Sequence, residues 1–168
     1  MSAGAGAFPE RVRIREVGPR DGFQNEPEII ATDDKVRLVD LLARTGVPRL
    51  EVTSFVRADV IPQLADAAHV LERMDVPDRV AVSVLIPNER GLEAALSHRG
   101  RFDEINVFLS ATESHNRRNV NRSIAESLEG LGRTIARARE EGLRCEGVIS
   151  VSFCRRFSPG RVVRCAGN

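Results

Sequence analysis

A chain of 168 residues with 42% hydrophobic and 29% charged side chains has a globular composition and is long enough to bury a core of its own. Its net charge of +1 gives it no general attraction to nucleic acid or anionic lipid, and the absence of Trp and Tyr removes the stacking platforms of a single-strand binder. Lys35 is the one lysine among 25 basic side chains, which reads as codon bias. No segment nears the roughly 20 apolar residues that span a bilayer. Cys145, Cys154 and Cys165 are odd in number and form no C-x-x-C pair, so neither a zinc site nor a disulfide framework is expected, and a reducing cytoplasm is the expected compartment. Residues 1–10, rich in Gly and Ala, read as a flexible tail.

In chain order, Val12, Ile14 and Val17 alternate with charged residues, predicting a half-buried strand. Gly18 and Pro19 break it. Thr32-Asp33-Asp34 then predicts a helix start with Thr32 as N-cap, and Val36, Leu38, Val39, Leu41 and Leu42 supply the apolar face as far as Gly46. Residues 49–55 read as a strand, 62–74 as a helix with Leu64, Ala67, Val70 and Leu71 inward, and 80–86 as a strand buried on both faces. A short helix opens at Pro87-Asn88 and runs through Leu96. Residues 104–110 form the next strand and 111–120 a polar loop. Ser123 and Glu126 make a capping box for a long helix with Ile124, Leu128, Leu131 and Ile135 inward, and residues 144–153 form a fifth strand. Strictly alternating strands and helices predict parallel pairing with right-handed crossovers. By counting alone, five strands favour an open doubly wound sheet, because a closed barrel needs eight strands and about 250 residues.

Chemistry gathers just past the strand ends, where ligands of parallel α/β folds bind. Arg20 is a permanently charged fork suited to a carboxylate or a developing enolate oxygen, Asp21 a hard oxygen ligand for a divalent cation, and Gln24 and Asn25 neutral hydrogen-bonding groups. An isolated Arg-Asp-Gly reads equally well as a solvated turn. Glu51 could pair with Arg49 on the surface. Thr112 and Glu113 read equally as helix caps, and Arg117 and Arg118 as solvated. His69, His98 and His115 are not spaced as a metal pair.

Three stretches add specificity: Val17-Gly18-Pro19-Arg20-Asp21-Gly22-Phe23-Gln24-Asn25-Glu26, then Glu51-Val52-Thr53-Ser54-Phe55 with Pro62-Gln63, then the segment 108–124 with Thr112-Glu113-Ser114-His115-Asn116. Together they resemble the hydroxymethylglutaryl-CoA lyases of the metal-dependent lyase and aldolase superfamily. That resemblance implies parallel β/α units forming the first half of a TIM (β/α)8 barrel, truncated at about five strands. It also implies cleavage of 3-hydroxy-3-methylglutaryl-CoA to acetyl-CoA and acetoacetate, in leucine catabolism and ketone body metabolism. Arg20 and Glu51 would be catalytic, with Glu51 orienting Arg20 and Asp21. Arg20, Gln24 and Thr112 would bind substrate, and Asp21 would ligate Mg2+ or Mn2+. The family's His-x-His metal ligands and its later cysteine loop do not occur here, so the metal site is incomplete. The likeness covers residues 11–153 as one lyase domain, and 154–168 diverge from it. The expected partner is an acyl-CoA, with no nucleic acid or membrane, and two copies could pair as a homodimer. The alternatives are a non-catalytic half-barrel fragment, truncated or frameshifted, and a related acyl-CoA lyase or Claisen-type synthase.

Overall fold

The structure, a computed structural model, describes residues 9–152. Most of the N-terminal tail, Phe153 and the divergent segment from residue 154, with Cys154 and Cys165, lie outside the described residues. Strand β1 (Arg15–Glu16) leads into a π-helical turn (Gly18–Gly22) and the short α1 (Phe23–Asn25). There follow α2 (Thr32–Ala43), β2 (Arg49–Ser54), a 3-10 turn (Pro62–Leu64), α3 (Ala67–Arg73), β3 (Ala81–Leu85) and α4 (Glu89–Leu96). The series ends with β4 (Glu104–Ser110), α5 (Glu113–Val120), α6 (Ile124–Glu140) and β5 (Arg144–Ser150).

All strand pairs are parallel, in the spatial order β1-β2-β3-β4-β5. A doubly wound sheet must reverse its strand order at a switch point. This order never reverses, because every crossover steps in the same direction. The open-sheet expectation from strand counting therefore fails, and the fold is a half-barrel of the (β/α)8 type.

Alternation along the strands places Leu50, Val52, Val82, Val84, Ile105 and Val107 in the core with Val39 and Ala43 of α2, Val70 and Leu71 of α3, Leu92 and Ala95 of α4 and Ala138 of α6. Burial of each larger aliphatic side chain contributes about 1.5–3 kcal/mol, and this layer holds the helices to the sheet. Helix α4 sits so close that a Cβ on Gly91 would lie 2.8 Å from the Phe55 carbonyl oxygen and 2.9 Å from Pro87 Cδ. Only glycine fits there. The Asn88 side chain caps this helix, accepting from the Gly91 N–H at 3.0 Å, and the Ser123–Glu126 capping box of α6 forms as expected.

Five local expectations are corrected. The polar loop expected over 111–120 is instead the helix α5 from Glu113 to Val120, capped by the Thr112 side chain. Thr32 is the first residue of α2 rather than its cap, because its hydroxyl donates to Asp66 Oδ2 at 2.7 Å. The helix expected over 62–74 is interrupted at Ala65 and Asp66, where the Asp66 carboxylate is taken by Thr32 and Lys35. In α6 the fully buried residues are the small Ser127, Thr134 and Ala138, while Leu128 is 54% exposed. Small residues let the helix lie close to the sheet, while Leu131 and Ile135 of the expected stripe pack part-buried against the core. The first strand is confined to Arg15–Glu16; Val12 and Ile14, expected on its buried face, precede it and are exposed, and Arg15 turns to the partly buried side.

Candidate active site

The π-helical turn after β1 is built by its own residues. The Gly18 N–H donates to Glu16 Oε1 at 2.6 Å, the Arg20 and Asp21 N–H groups both donate to the Val17 carbonyl at 3.0 and 2.7 Å, and Asn25 Nδ2 donates to the Asp21 carbonyl at 2.7 Å. A second clamp fixes the loop that follows. Gln63 Nε2 donates to the Glu26 carbonyl at 3.0 Å. The buried Lys35 ammonium in turn donates to the Gln63 carbonyl at 2.5 Å and to Asp66 Oδ1 at 2.7 Å.

Arg20, Asp21 and Glu51 come together as expected. Arg20 Nε donates a very short hydrogen bond to Glu51 Oε1, and Arg20 Nη1 donates to Asp21 Oδ1 at 2.8 Å. The Glu51 side chain is 1% exposed and that of Arg20 15%, so the bond is charge-assisted and shielded from water. Arg20 Nη2 has no partner among the described residues and is the donor left for a ligand oxygen. Gln24 is half-buried one turn later. Thr112 stands at the end of β4 and caps α5, accepting from the His115 N–H at 3.4 Å, as its capping reading anticipated. Neither Gln24 nor Thr112 hydrogen-bonds to the Arg20–Glu51 pair.

Beneath this pair lies a charged cluster that the sequence reasoning passed over. Arg15 donates to Glu146 at 2.7 and 2.6 Å and to Glu104 at 3.2 Å. Arg49 donates to Glu104 and, at 2.8 Å, to Glu146. Arg144 reaches Glu104 at 2.9 Å. The hydrogen bond to Glu104, ahead of that to Glu146, pushes the Arg49 guanidinium further above its already high value, against the opposing effect of burial. The cluster meets the site through Arg15 Nη1, 3.8 Å from Glu51 Oε2, and Asn106 Nδ2 donates to that same oxygen at 2.6 Å. The available signal was the period of two: Arg49, Glu51, Glu104, Asn106, Arg144 and Glu146 alternate with apolar or small residues in their strands.

Asn116 was also missed. It is buried, its Oδ1 accepts from the Ser110 N–H at 3.2 Å, and its Nδ2 donates to Ser127 Oγ at 2.7 Å and to the Arg122 and Ser123 carbonyls. The side chain thereby ties the end of β4 to the start of α6.

Among the described residues no three His, Cys, Asp or Glu side chains group to hold a metal ion. Asp21 is half exposed and shares one oxygen with Arg20, and Glu51 is committed to Arg20 and Asn106. Mg2+ prefers six oxygens in an octahedron. The described residues offer it one free carboxylate and do not fit a complete site. His98 stands 3.4 Å from Glu72, and His115 Nδ1 is 2.7 Å from Ser110 Oγ. Cys145 is a free thiol that burial pushes up, which favours its protonated form.

Five parallel strands in sequential order, with Arg20 and Asp21 just past the carboxyl end of the first and Glu51 within the second, define a half-barrel of the β/α-barrel class. A family model described as HMGL-like matches residues 11–166, beyond the point where the quoted motifs stop, and the chain belongs to that family. It is 45% identical over 146 residues to the hydroxymethylglutaryl-CoA lyase YngG of Bacillus subtilis, covering 87% of this chain and 48% of that one. A crystal structure of the B. subtilis HMG-CoA lyase superposes with a TM-score of 0.83 at 44% identity, over 87% of this chain and 48% of the other. A second, of an Acinetobacter baumannii HMG-CoA lyase in complex with coenzyme A and 3-methylmalate, gives 0.80 at 31% identity, over 88% and 47%. The chain thus spans about half the length of the relatives it matches.

Proposed function

We propose that this chain carries the arginine side of the active site of a carbon–carbon lyase that cleaves 3-hydroxy-3-methylglutaryl-CoA to acetyl-CoA and acetoacetate, in leucine catabolism and ketone body metabolism. The observation that supports it is the Arg20 guanidinium, held by the buried Glu51 and keeping Nη2 without a partner among the described residues. In the cleavage the 3-hydroxyl loses its proton and its oxygen becomes the ketone of acetoacetate. The C2–C3 bond breaks, and its electron pair passes to the thioester fragment as an enolate, which takes up a proton at carbon to give acetyl-CoA. Charge develops on the thioester oxygen, and Arg20 supplies a fixed donor for it. Glu51 acts through Arg20: it holds the guanidinium plane before substrate arrives, so no reorganisation is needed as the charge forms. Gln24 and Thr112 are the proposed polar contacts to the acyl portion.

Lyases of this family are in general metal-dependent. Asp21 is the proposed contribution of these residues to a Mg2+ or Mn2+ ligand set, a single donor that does not make a site by itself. An acyl-CoA is the proposed partner, the cytoplasm the proposed compartment, and a homodimer the proposed assembly.

The test is release of acetoacetate from the acyl-CoA by the purified chain with added Mg2+ or Mn2+. Arg20→Gln is expected to lower the rate by about 10²–10³, the usual cost of removing one such donor. Turnover indifferent to that substitution would sink the assignment of Arg20. The single carboxylate offered to a metal favours one other reading, a protein of lyase ancestry without turnover of its own, and a wild-type chain that releases no acetoacetate would establish it.

A further inference from the structure

We infer that Asn106 is a positioning residue for the Arg20–Glu51 pair: its amide holds the second oxygen of Glu51 so that the first stays on Arg20. The inference rests on the Arg20 and Glu51 assignments above and adds to them a residue that the motifs do not mark.

Asn106 lies in β4, beside Leu85 of β3 and Glu146 of β5 in the sheet register, and is 4% exposed. Its Nδ2 donates to Glu51 Oε2 at 2.6 Å while Glu51 Oε1 accepts from Arg20 Nε. The reverse amide orientation would set Oδ1 against a carboxylate oxygen, so the donor end is fixed by its partner. A carboxylate bound through one oxygen can still rotate, since its terminal torsion is broad. Bound through both, it is fixed.

The neighbouring charges make that restraint matter. Arg15 Nη1 stands 3.8 Å from Glu51 Oε2 and is otherwise engaged with Glu146 and Glu104. Without the Asn106 amide, the Arg20 bond alone opposes a turn of the Glu51 carboxylate toward Arg15 and the lower cluster, a turn that would weaken its hold on Arg20. Asn106 therefore separates two charged systems on one face of the sheet: a lower cluster whose arginines and glutamates pair with one another, and an upper pair that must stay turned toward the strand ends. Fold stability alone would favour an apolar residue here, because Asn106 Oδ1 is buried without a hydrogen-bond partner, an unfavourable state for a polar atom. A buried amide that serves its donor end at the expense of its acceptor end is placed for the Glu51 carboxylate.

The experiment reads the Arg20 Nε–H directly in the full chain labelled with 15N-arginine, the signal being identified by its loss in Arg20→Gln. In the wild type this proton is expected to exchange slowly with water. In Asn106→Leu, and in Asn106→Asp, which keeps the shape and removes the donor, exchange should be faster by about 10-fold or more, the scale on which orienting partners act, while the backbone amide spectrum stays that of the folded chain. An Arg20 Nε–H signal unchanged in position and exchange in folded variants overturns the inference. Loss of the whole folded spectrum in both variants overturns it too, since Asn106 would then hold the fold and not the pair. Where turnover is measurable, kcat should fall by about 10–100-fold. A chain without turnover refutes the lyase activity alone and leaves the Arg20 signal to decide the role of Asn106.

Discussion

The two faces of the one sheet are built on opposite principles. Toward the helices, Leu50, Val52, Val82, Val84, Ile105 and Val107 form an apolar layer at 0–5% exposure. On the other face Arg15, Arg49 and Arg144 meet Glu104 and Glu146, and Glu51 meets Arg20 and Asn106. Neighbouring residues of a strand, Glu104 and Ile105, serve one system each. Apolar contacts are non-directional and tolerate small shifts, whereas charge-assisted hydrogen bonds fix orientation to within a fraction of an ångström. The helix side therefore supplies stability, and the other side supplies geometry, which is what a site for a developing negative charge requires.

That division can be tested on β4. Ile105→Ala should lower unfolding free energy by about 2–5 kcal/mol through lost burial and the cavity left behind, read as a reduced urea midpoint. Glu104→Ala strips three arginines of their shared acceptor. Because Arg144 and Arg49 are partly exposed, the loss should be smaller, about 2 kcal/mol. An apolar replacement of similar volume, Glu104→Leu, should recover little of it while the arginines remain. If Glu104→Ala proved as costly as Ile105→Ala, the charged face would belong to the core and the contrast would fail. The smallest effect is at the start of α6, where Ser123→Ala should cost on the order of 1 kcal/mol. The hydrogen bond from Ser123 chiefly holds the Glu126 carboxyl below its usual range. A carboxyl depressed by folding contributes stability above its unfolded pKa and loses it as pH falls through the folded value. Stability of the wild type should therefore fall more steeply than that of Ser123→Ala as pH is lowered through the acid range, as followed by denaturant midpoints.

Much of the fold was legible in the sequence, because strand and helix periods repeat cleanly from residue 32 to 150. The turn at Arg20 and Asp21 was legible through its motif, and so was its meeting with Glu51. Barrel-type winding was not legible from strand number. It is set by the direction of each crossover, which no local pattern encodes. Of the inward stripe expected on α6, Leu131 and Ile135 do pack against the core, but Leu128 does not, and the most buried positions fall to Ser127, Thr134 and Ala138 because a close helix–sheet approach selects small residues. Thr32 looked like a cap because its identity suits one, but Asp66, distant in sequence, claims its hydroxyl. The charged cluster was written in the alternation of β2, β4 and β5, yet each arginine and glutamate by itself is indistinguishable from a solvated surface residue.

The burial of Lys35, 2% exposed and paired with Asp66, also has a practical meaning. As the one lysine of the chain, it leaves the described surface without an ε-amine. Acylating and aldehyde reagents that modify most proteins at many points will find the folded molecule almost inert along its side chains. Such a reagent becomes a sensor of the junction among α2, the 3-10 turn and α3, since Lys35 is labelled only when that junction opens.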